Sequence, residues 1–411
     1  MIIQLLYIDP GTGSALFSLL VGIAAAVFFG FQSFKLKIKH LFTGGKTKNR
    51  TKHKFVIYAE DKRYWTLFKP VLEEFENQNI ELLYLTSSAD DPVFKSDFKF
   101  IKPEYIGTGN KAFARLNFLS ADFVLATTPG LDVYQWKRSK MVKHYSHLYH
   151  TPSEFAQCEM FGLDYFDSLL VNGYGYQEEH IRKLEKVRNL PEKQIVTTGC
   201  PYLDEYAKKL DEIPKEEPHF FTVLVSPSWS KTALLSRYGE QLLDPLVKTG
   251  WRIIIRPHPQ SLLVEKDIID RLTLKYADTA NLEWDFERDN IYSLKKADVM
   301  ISDFSGIILD FMFLLNKPVF YAAQELDWKG RDAYDIYKAQ DEIWTFSNLK
   351  NTGIALEPGM FNELPNLISN ESANDSLKNA AAKVKTSAWA YQGEAGKKVF
   401  DFMIKTTEGM V

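Results

Sequence analysis

Motifs of the common nucleotide-dependent enzymes are missing from this sequence. No Asp-x-Asp occurs, so the usual Mg²⁺–nucleotide clamp of metal-dependent glycosyltransferases is absent. No Gly-x-x-x-x-Gly-Lys-Ser/Thr loop is present, which argues against the main ATPase and GTPase classes. Gly107 and Gly109 lack the third glycine of a dinucleotide fingerprint. Gly-x-Ser-x-Gly is absent too, so a hydrolase nucleophile elbow is not indicated.

Cysteine is scarce, and the positive charge is concentrated near the N-terminus. Two cysteines, Cys158 and Cys200, are too few for a disulfide framework in 411 residues and suit a reducing compartment. Residues 35–54 hold eight Lys or Arg and no acidic residue. Without these eight charges, the net charge of −3 becomes −11 for the remainder. Because so acidic a body repels nucleic acid, we expect no nucleic-acid partner.

An apolar stretch before this basic segment predicts a membrane anchor. Residues 15–31 carry no charge, and with their flanks, 12–34, they approach the ~20 residues that span a bilayer. Since the basic residues follow the span, the positive-inside rule places residues 35–411 in the cytoplasm. We expect a single-pass anchor in the cell membrane over 1–34 and a basic linker over 35–53, with residues 35–54 attracting anionic lipid headgroups. A cleaved signal peptide and a buried core helix are the alternatives.

From Lys54 onward, apolar strands alternate with amphipathic helices, which predicts an α/β protein with mostly parallel sheets. The charged, proline-containing segment 211–219 interrupts the pattern and is the candidate linker. A chain of 411 residues is too long for one ordinary core, which favours two domains. We expect two doubly wound, Rossmann-like domains over 54–210 and 218–345, followed by a helical segment over 346–411. A terminal helix is able to cross back to the first domain.

Three loops of the second predicted domain follow buried strands and could bind an anion. Arg256 and His258 follow the strand 251–255, and the segment 302–306 leads from a strand into the predicted helix 307–315. Parallel sheets place ligands at the carboxyl ends of their strands, and a helix N-terminus attracts phosphate. The candidate phosphate ligands are Arg256, Ser302, Asp303, Ser305, Gly306 and, from the third loop, Ser228. Asp303 could instead cap a helix, and the serines of the third loop could simply lie on the surface.

His144, His147 and His150 lie at intervals of three in a predicted strand, 142–149. Alternation places His147 on the opposite face from the other two, whereas a zinc site needs convergent ligands, so we expect no metal and no cofactor. His150 ends the strand and would face a cleft between the domains. Histidine is the usual general base for an alcohol. A purely structural histidine is the alternative.

Short segments across most of the chain match the pattern of a known enzyme family. They are Tyr149-His150-Thr-Pro152, Gly199–Asp204, Val223–Trp229, Arg256-Pro-His258-Pro, Ala297–Asp310, Lys317–Tyr321 and Tyr391–Ala395. Together they resemble the CDP-glycerol glycerophosphotransferases, which are polyol-phosphate transferases of the teichoic-acid type. The similarity runs from about His144 to Met403, and residues 54–140 match only in pattern. In this chain glycine does not follow His150, and Gly306 stands where serine is commoner.

The resemblance implies a GT-B fold, with an acceptor domain first and a nucleotide-donor domain second. It places the two essential histidines at His150 and His258. The implied reaction moves glycerol phosphate or ribitol phosphate from a CDP-linked donor to a lipid-linked cell-surface polymer and releases CMP. His150 would be the base, His258 and Arg256 would act on the leaving CMP, and Ser302, Ser305 and the Gly306 amide would hold the diphosphate. A GT-B glycosyltransferase using a nucleotide sugar, and a non-catalytic nucleotide-binding scaffold, remain the alternatives.

Overall fold

The structure, a computed structural model, describes residues 52–287, 289–322, 327–372 and 374–410. The predicted anchor, 1–34, and the basic linker up to residue 51 lie outside the described residues. Within the described ranges, every helix is too short or too polar to cross a bilayer.

Two wholly parallel sheets confirm the predicted α/β class. The first sheet has the strand order β3-β2-β1-β4-β5-β6-β7. Its inner strands form because β-branched and aromatic residues occur in runs that are buried on both faces, as in Phe55–Ala59 of β1. The bounds are β1 His53–Ala59, β2 Leu82–Thr86, β3 Ile101–Tyr105, β4 Ala121–Ala126, β5 Val142–Leu148, β6 Ser168–Val171 and β7 Gln194–Thr197.

The second sheet has the order β10-β9-β8-β11-β12-β13. Its strands are β8 Thr222–Val225, β9 Arg252–Ile255, β10 Leu282–Trp284, β11 Val299–Ser302, β12 Val319–Ala322 and β13 Ile354–Leu356. The predicted strands 221–225, 251–255 and 299–301 are confirmed to within a residue. Because β9, β8 and β11 are neighbours, the loops that follow them meet at one edge of the sheet.

Helices cover both faces of each sheet. Those of the first half are α1 Trp65–Asn77, α2 Asn110–Leu116, α3 Tyr176–Arg188 and α4 Pro201–Glu212. Those of the second half are α5 Leu234–Leu246, α6 Ser261–Val264, α7 Lys266–Lys275, α8 Ile291–Lys296, α9 Ile307–Leu315, α10 Ala333–Ile336 and α11 Trp344–Thr352. The last three are α12 Leu364–Glu371, α13 Asp375–Ala388 and α14 Ala395–Glu408.

The C-terminal helix returns to the first sheet, as predicted. Val399 and Met403 of α14 are buried in the same apolar cluster as β1 and α1, whereas Trp389 packs under the second sheet. Asp204 of α4 fixes the crossing, because its carboxylate accepts hydrogen bonds from Trp389 Nε1 (2.8 Å) and the Ala395 amide (2.9 Å). Gly199 is required there, since a Cβ at this position would lie 2.3 Å from the Ala390 carbonyl oxygen.

Two features differ from the prediction. The expected helix over 153–161 is wrong: this segment consists of turns and bends. Backbone carbonyl groups of this segment accept hydrogen bonds from outside it. The Glu154 carbonyl oxygen accepts from Tyr149 Oη, and the Cys158 carbonyl oxygen accepts from the Asp332 amide. In addition, β13 lies inside the segment 346–411 that was expected to be helical. The domain boundaries themselves stay a prediction.

Candidate functional site

A cavity of about 510 Å³ opens at the carboxyl edge of the second sheet. The loops after β8, β9 and β11 and the start of α9 surround it. Its lining includes Ser228, Trp229, Lys231, His258, Ser305, Gly306, Asp327 and Arg331. Four of the residues selected from the sequence, Ser228, His258, Ser305 and Gly306, are therefore brought together in one place.

The N-terminus of α9 supplies backbone donors to this cavity. Gly306 is the N-cap residue, and no side chain caps the helix there. The amides of Ile308 and Leu309 already donate to the carbonyl oxygens of Ser305 (3.2 Å) and Gly306 (3.0 Å), which leaves the amides of Gly306 and Ile307 as the donors for a ligand. The partial positive charge of a helix N-terminus makes this end suit an anion. A Cβ on Gly306 would meet only the Thr151 hydroxyl, at 3.7 Å, so a serine at this position would be accommodated.

Ser302 and Asp303, which the sequence suggested as phosphate ligands, are buried and do not line the cavity. Ser302 is wholly buried, and its hydroxyl donates to the Ser226 carbonyl oxygen at 2.6 Å. Asp303 is 1% exposed, and its carboxylate accepts from the amides of Ser228 (2.8 Å) and Leu234 (3.0 Å). Asp303 thus caps α5 rather than its own helix. Both residues hold the loop after β8 against the end of β11.

The Arg256 side chain is likewise bonded to other residues of the protein. Its guanidinium donates to the Asp285 carboxylate (2.7 Å) and to the Glu287 carbonyl oxygen (2.6 Å), and the ion pair is mostly buried. The Ser293 hydroxyl also donates to Asp285. These bonds tie the end of β9 to the loop after β10. Arg256 therefore supports the loop that carries His258 instead of reaching the cavity.

His258 is half-buried beside the exposed indole of Trp229, with the two ring centroids 6.2 Å apart. Its Nδ1 accepts from the Gln260 amide at 3.1 Å, which places the proton of the neutral ring on Nε2. Burial lowers the pKa of His258; the charge of Arg63 acts in the same direction, and the Glu265 carboxylate opposes both. The neutral ring can therefore donate one hydrogen bond from Nε2.

His150 lies in a second cavity, of about 310 Å³, which shares Gly306 with the first. Its Nδ1 lies 2.9 Å from the Thr127 hydroxyl, and the Tyr64 ring packs edge-on against the imidazole. Burial, and secondarily the charge of Arg63, lowers the pKa of His150 to about 4. The imidazole is neutral at pH 7 and can accept a proton. Gly306 therefore lines both of the cavities that contain the predicted catalytic histidines.

Arg63 belongs to this site but was not selected from the sequence. It lies in a short 3₁₀ turn, Lys62–Tyr64, that follows β1, and it lines the cavity of His150. The guanidinium packs 5.1 Å from the centre of the Tyr64 ring and influences both His150 and His258. The sequence could have suggested Arg63, because this residue follows a buried strand. The same criterion identified His258.

The three histidines of the 144–150 segment do not converge. His144 bonds the Ser168 hydroxyl (2.8 Å), whereas His147 bonds the Thr127 carbonyl oxygen (3.0 Å). Across the described part of the chain, no group of three or more His, Cys, Asp or Glu side chains is arranged to hold a metal ion.

Several solved structures share this fold. The wall teichoic acid polymerase TagF aligns over 95% of this chain and 98% of its own, with 15% identity and a TM-score of 0.59. A putative UDP-N-acetylglucosamine 2-epimerase from Listeria monocytogenes aligns over 88% of this chain and 98% of its own (11% identity, TM-score 0.57). The UDP-GlcNAc 2-epimerase from Neisseria meningitidis, bound to UDP-GlcNAc, aligns over 86% and 100% (12%, 0.54). At such identities the likeness shows the fold, which is GT-B-like. No curated protein sequence matches the chain.

Two parallel sheets form a GT-B-like fold, and two cavities share Gly306 at the start of α9. Residues 174–341 match the family described as CDP-Glycerol:Poly(glycerophosphate) glycerophosphotransferase. The resemblance found in the sequence is thus confirmed over this segment. The matched segment contains His258 and the start of α9, whereas His150 precedes it.

Proposed function

We propose that this chain transfers a polyol phosphate, as glycerol phosphate or ribitol phosphate, from a CDP-linked donor to a hydroxyl of a lipid-linked cell-surface polymer, releasing CMP. The observation that carries the proposal is the position of Gly306. The start of α9 lines both cavities, with His258 in one and His150 in the other. A diphosphate bound at this helix end would have one histidine on each side.

The donor would occupy the larger cavity. The amides at the start of α9, the Ser305 hydroxyl and the Ser228 hydroxyl offer hydrogen bonds to a diphosphate, and Lys231 and Arg331 add positive charge. His258 would donate from Nε2 to the phosphate that leaves with CMP. Trp229, which is 42% exposed beside His258, offers an apolar face to the nucleoside.

The acceptor would enter the smaller cavity. His150 would engage the attacking hydroxyl as hydrogen-bond acceptor and general base. The hydroxyl oxygen attacks the β-phosphorus, the bond from phosphorus to the CMP oxygen breaks, and CMP leaves with that electron pair. Positioning and charge neutralisation supply most of the catalysis in such a transfer.

Nucleotide release tests this proposal. Full-length protein in mild detergent, with a membrane lipid extract as acceptor, would be given CDP-glycerol, CDP-ribitol and several UDP- and GDP-sugars, and the products separated by mass. We expect CMP release that is lost in His150→Ala and His258→Ala. The matched control is His219→Ala, because His219 lies before β8 and is 58% exposed. Release of UDP or GDP would instead indicate a glycosyltransferase, and donor binding without turnover would indicate a scaffold.

We also propose that the enzyme is held at the cell membrane by its N-terminal apolar segment, with both sheets in the cytoplasm. The apolar residues 15–31 and the eight positive charges of 35–54 support this proposal. Alkaline carbonate extraction of membranes distinguishes the two kinds of attachment. A spanning segment keeps the full-length protein in the pellet, whereas attachment by headgroup attraction alone releases it.

A further inference from the structure

Asp310 is a buried carboxylate in the cavity of His150 to which the proposed function assigns no role. It lies in the first turn of α9, four residues after Gly306, and is 8% exposed. The Tyr202 hydroxyl donates to its Oδ2 at 2.5 Å. Among the described residues, no donor meets Oδ1 and no cation forms an ion pair with this carboxylate. One oxygen is therefore held in place, and the other is left for a ligand.

Other titratable groups line this cavity or interact electrostatically with Asp310. They are Arg63 and Tyr64 from the turn after β1, His150 from the end of β5, and Cys200, Tyr202 and Tyr206 from α4 and its N-cap. The thiol and the phenols of α4 are neutral near pH 7, because burial raises the pKa of each. Among these described groups, Arg63 is the one that carries a charge near pH 7, and its side chain is largely exposed.

The two proton-binding groups of this cavity differ in proton affinity. Burial raises the pKa of Asp310 to about 7, and the Tyr202 hydrogen bond opposes the rise. Burial and Arg63 lower the pKa of His150 to about 4. A proton released in the cavity is therefore held more tightly by Asp310. A base whose pKa lies near the working pH is the one best suited to general base catalysis.

We propose that Asp310 is a second catalytic residue of the transfer reaction, which receives the proton of the attacking acceptor hydroxyl, and that Tyr202 is its positioning residue. This inference rests on the proposed function and revises one step of it, because Asp310 takes the place of His150 as the general base. The O–H bond of the acceptor breaks, its electron pair forms the new O–P bond, and its proton comes to rest on the Asp310 carboxylate. CMP leaves with the electron pair of the broken P–O bond. His150 stays neutral and orients the hydroxyl, and the proton of Asp310 later returns to solvent.

The pH dependence of kcat/KM for CMP release tests the assignment. We expect the wild type to lose activity in acid with an apparent pKa near 7, as Asp310 becomes protonated. Asp310→Asn keeps the shape of the side chain and the contact with Tyr202, yet we expect it to be slower by about 100-fold or more and to lack this acidic limb. Asp310→Glu should restore part of the rate together with the limb.

Tyr202→Phe separates proton transfer from a structural role. Removing the hydroxyl takes away a hydrogen bond that favours the carboxylate, so the pKa of Asp310 and the acidic limb should move to higher pH, with the rate in alkali largely kept. The matched control is Glu205→Gln, also buried on α4 but paired with Lys69 at 2.5 Å, which should leave the limb in place.

Each outcome decides the question. A wild-type enzyme that releases CMP while Asp310→Asn keeps its rate overturns this inference alone. So does a slow Asp310→Asn with an unchanged acidic limb, which would show a role in structure only. A wild type that releases no CMP from any CDP-linked polyol overturns the proposed function and this inference together.

Discussion

Asp310→Asn should make the folded protein more stable at alkaline pH, even though it removes a proposed catalytic group. Burial raises the pKa of the Asp310 carboxyl from 3.8 to about 7. Between these two values the unfolded chain has lost the proton and the folded chain has kept it, so the stability of the wild type falls as pH rises. Each pH unit in this window costs ~1.4 kcal/mol. Above pH 7 both states are ionised, and the cost reaches its full value, roughly 4 kcal/mol.

Urea unfolding of the full-length protein in mild detergent measures this difference. Asparagine does not titrate, so the stability gained by the variant should be small near pH 4, grow through pH 5 and 6, and level off above pH 7. Asp341→Asn is the matched control, because Asp341 is an exposed carboxylate paired with Lys350 on the surface. A gain that is independent of pH, or a variant that is less stable than the wild type at pH 8, would refute the reasoning.

Three further substitutions test packing and bonding, each by urea unfolding. Arg188→Ala should cost about 3–5 kcal/mol, because this buried guanidinium holds three carboxylates at 2.7–2.8 Å. Gly396→Ala should cost about 1–3 kcal/mol, since a Cβ there would lie 2.7 Å from the backbone of α1; Gly359→Ala, which meets nothing within 4 Å, should be close to neutral. Ser302→Ala should cost about 1–3 kcal/mol by leaving a buried carbonyl unpaired, and a neutral result would show that this hydrogen bond is dispensable.

The central strands were predictable from the sequence, whereas three of the four edge strands, β3, β10 and β13, were not. β1 and β8 are buried on both faces, so apolar residues follow one another without interruption. By contrast β3, at one edge, reads Ile-Lys-Pro-Glu-Tyr, and only its first residue is buried. β10 and β13, at the edges of the second sheet, are three residues long and mostly half-exposed. An edge strand pairs on one side only, so its sequence has no need of a continuous apolar run.

The failure at residues 153–161 has a different cause. A helix needs the carbonyl of each residue for the amide four positions later. Here the Cys158 carbonyl oxygen accepts from the Asp332 amide at 3.0 Å, and the Met160 amide donates to the Gly330 carbonyl oxygen at 3.1 Å. These partners lie more than 150 residues away in the chain. Local periodicity carries no information about such bonds, so they are absent from any reading of the segment alone.

The position of the candidate site could be predicted from residues that follow buried strands. The direction in which each of these side chains points could not. The sequence places His258, Ser302, Asp303 and Ser305 after neighbouring strands, and the structure confirms that these strand ends adjoin. Which of these side chains face the cavity depends on the turn of each loop, and those turns are set by contacts between loops. Asp303, for example, bonds amides 69 and 75 residues away.

Asp303 and Arg256 bond to the protein and do not line the cavity, yet both belong to the sequence segments that resemble the family. Their role in holding the loops explains why these segments include residues that would not touch a ligand. Amides at a helix end bind an anion well only if they are already in position, because flexible donors lose entropy when they bind. Asp303 fixes the loop of Ser228, and Arg256 fixes the loop of His258. Replacing either should therefore weaken transfer without removing a ligand contact.

Guanidinium ion added to Arg256→Ala should refill the buried space beside Asp285 and so restore the loop. We expect no rescue through binding of the ion to the substrate. Rescue of activity and of thermal stability by the same guanidinium concentration would support this division; rescue of activity alone would return Arg256 to direct phosphate binding.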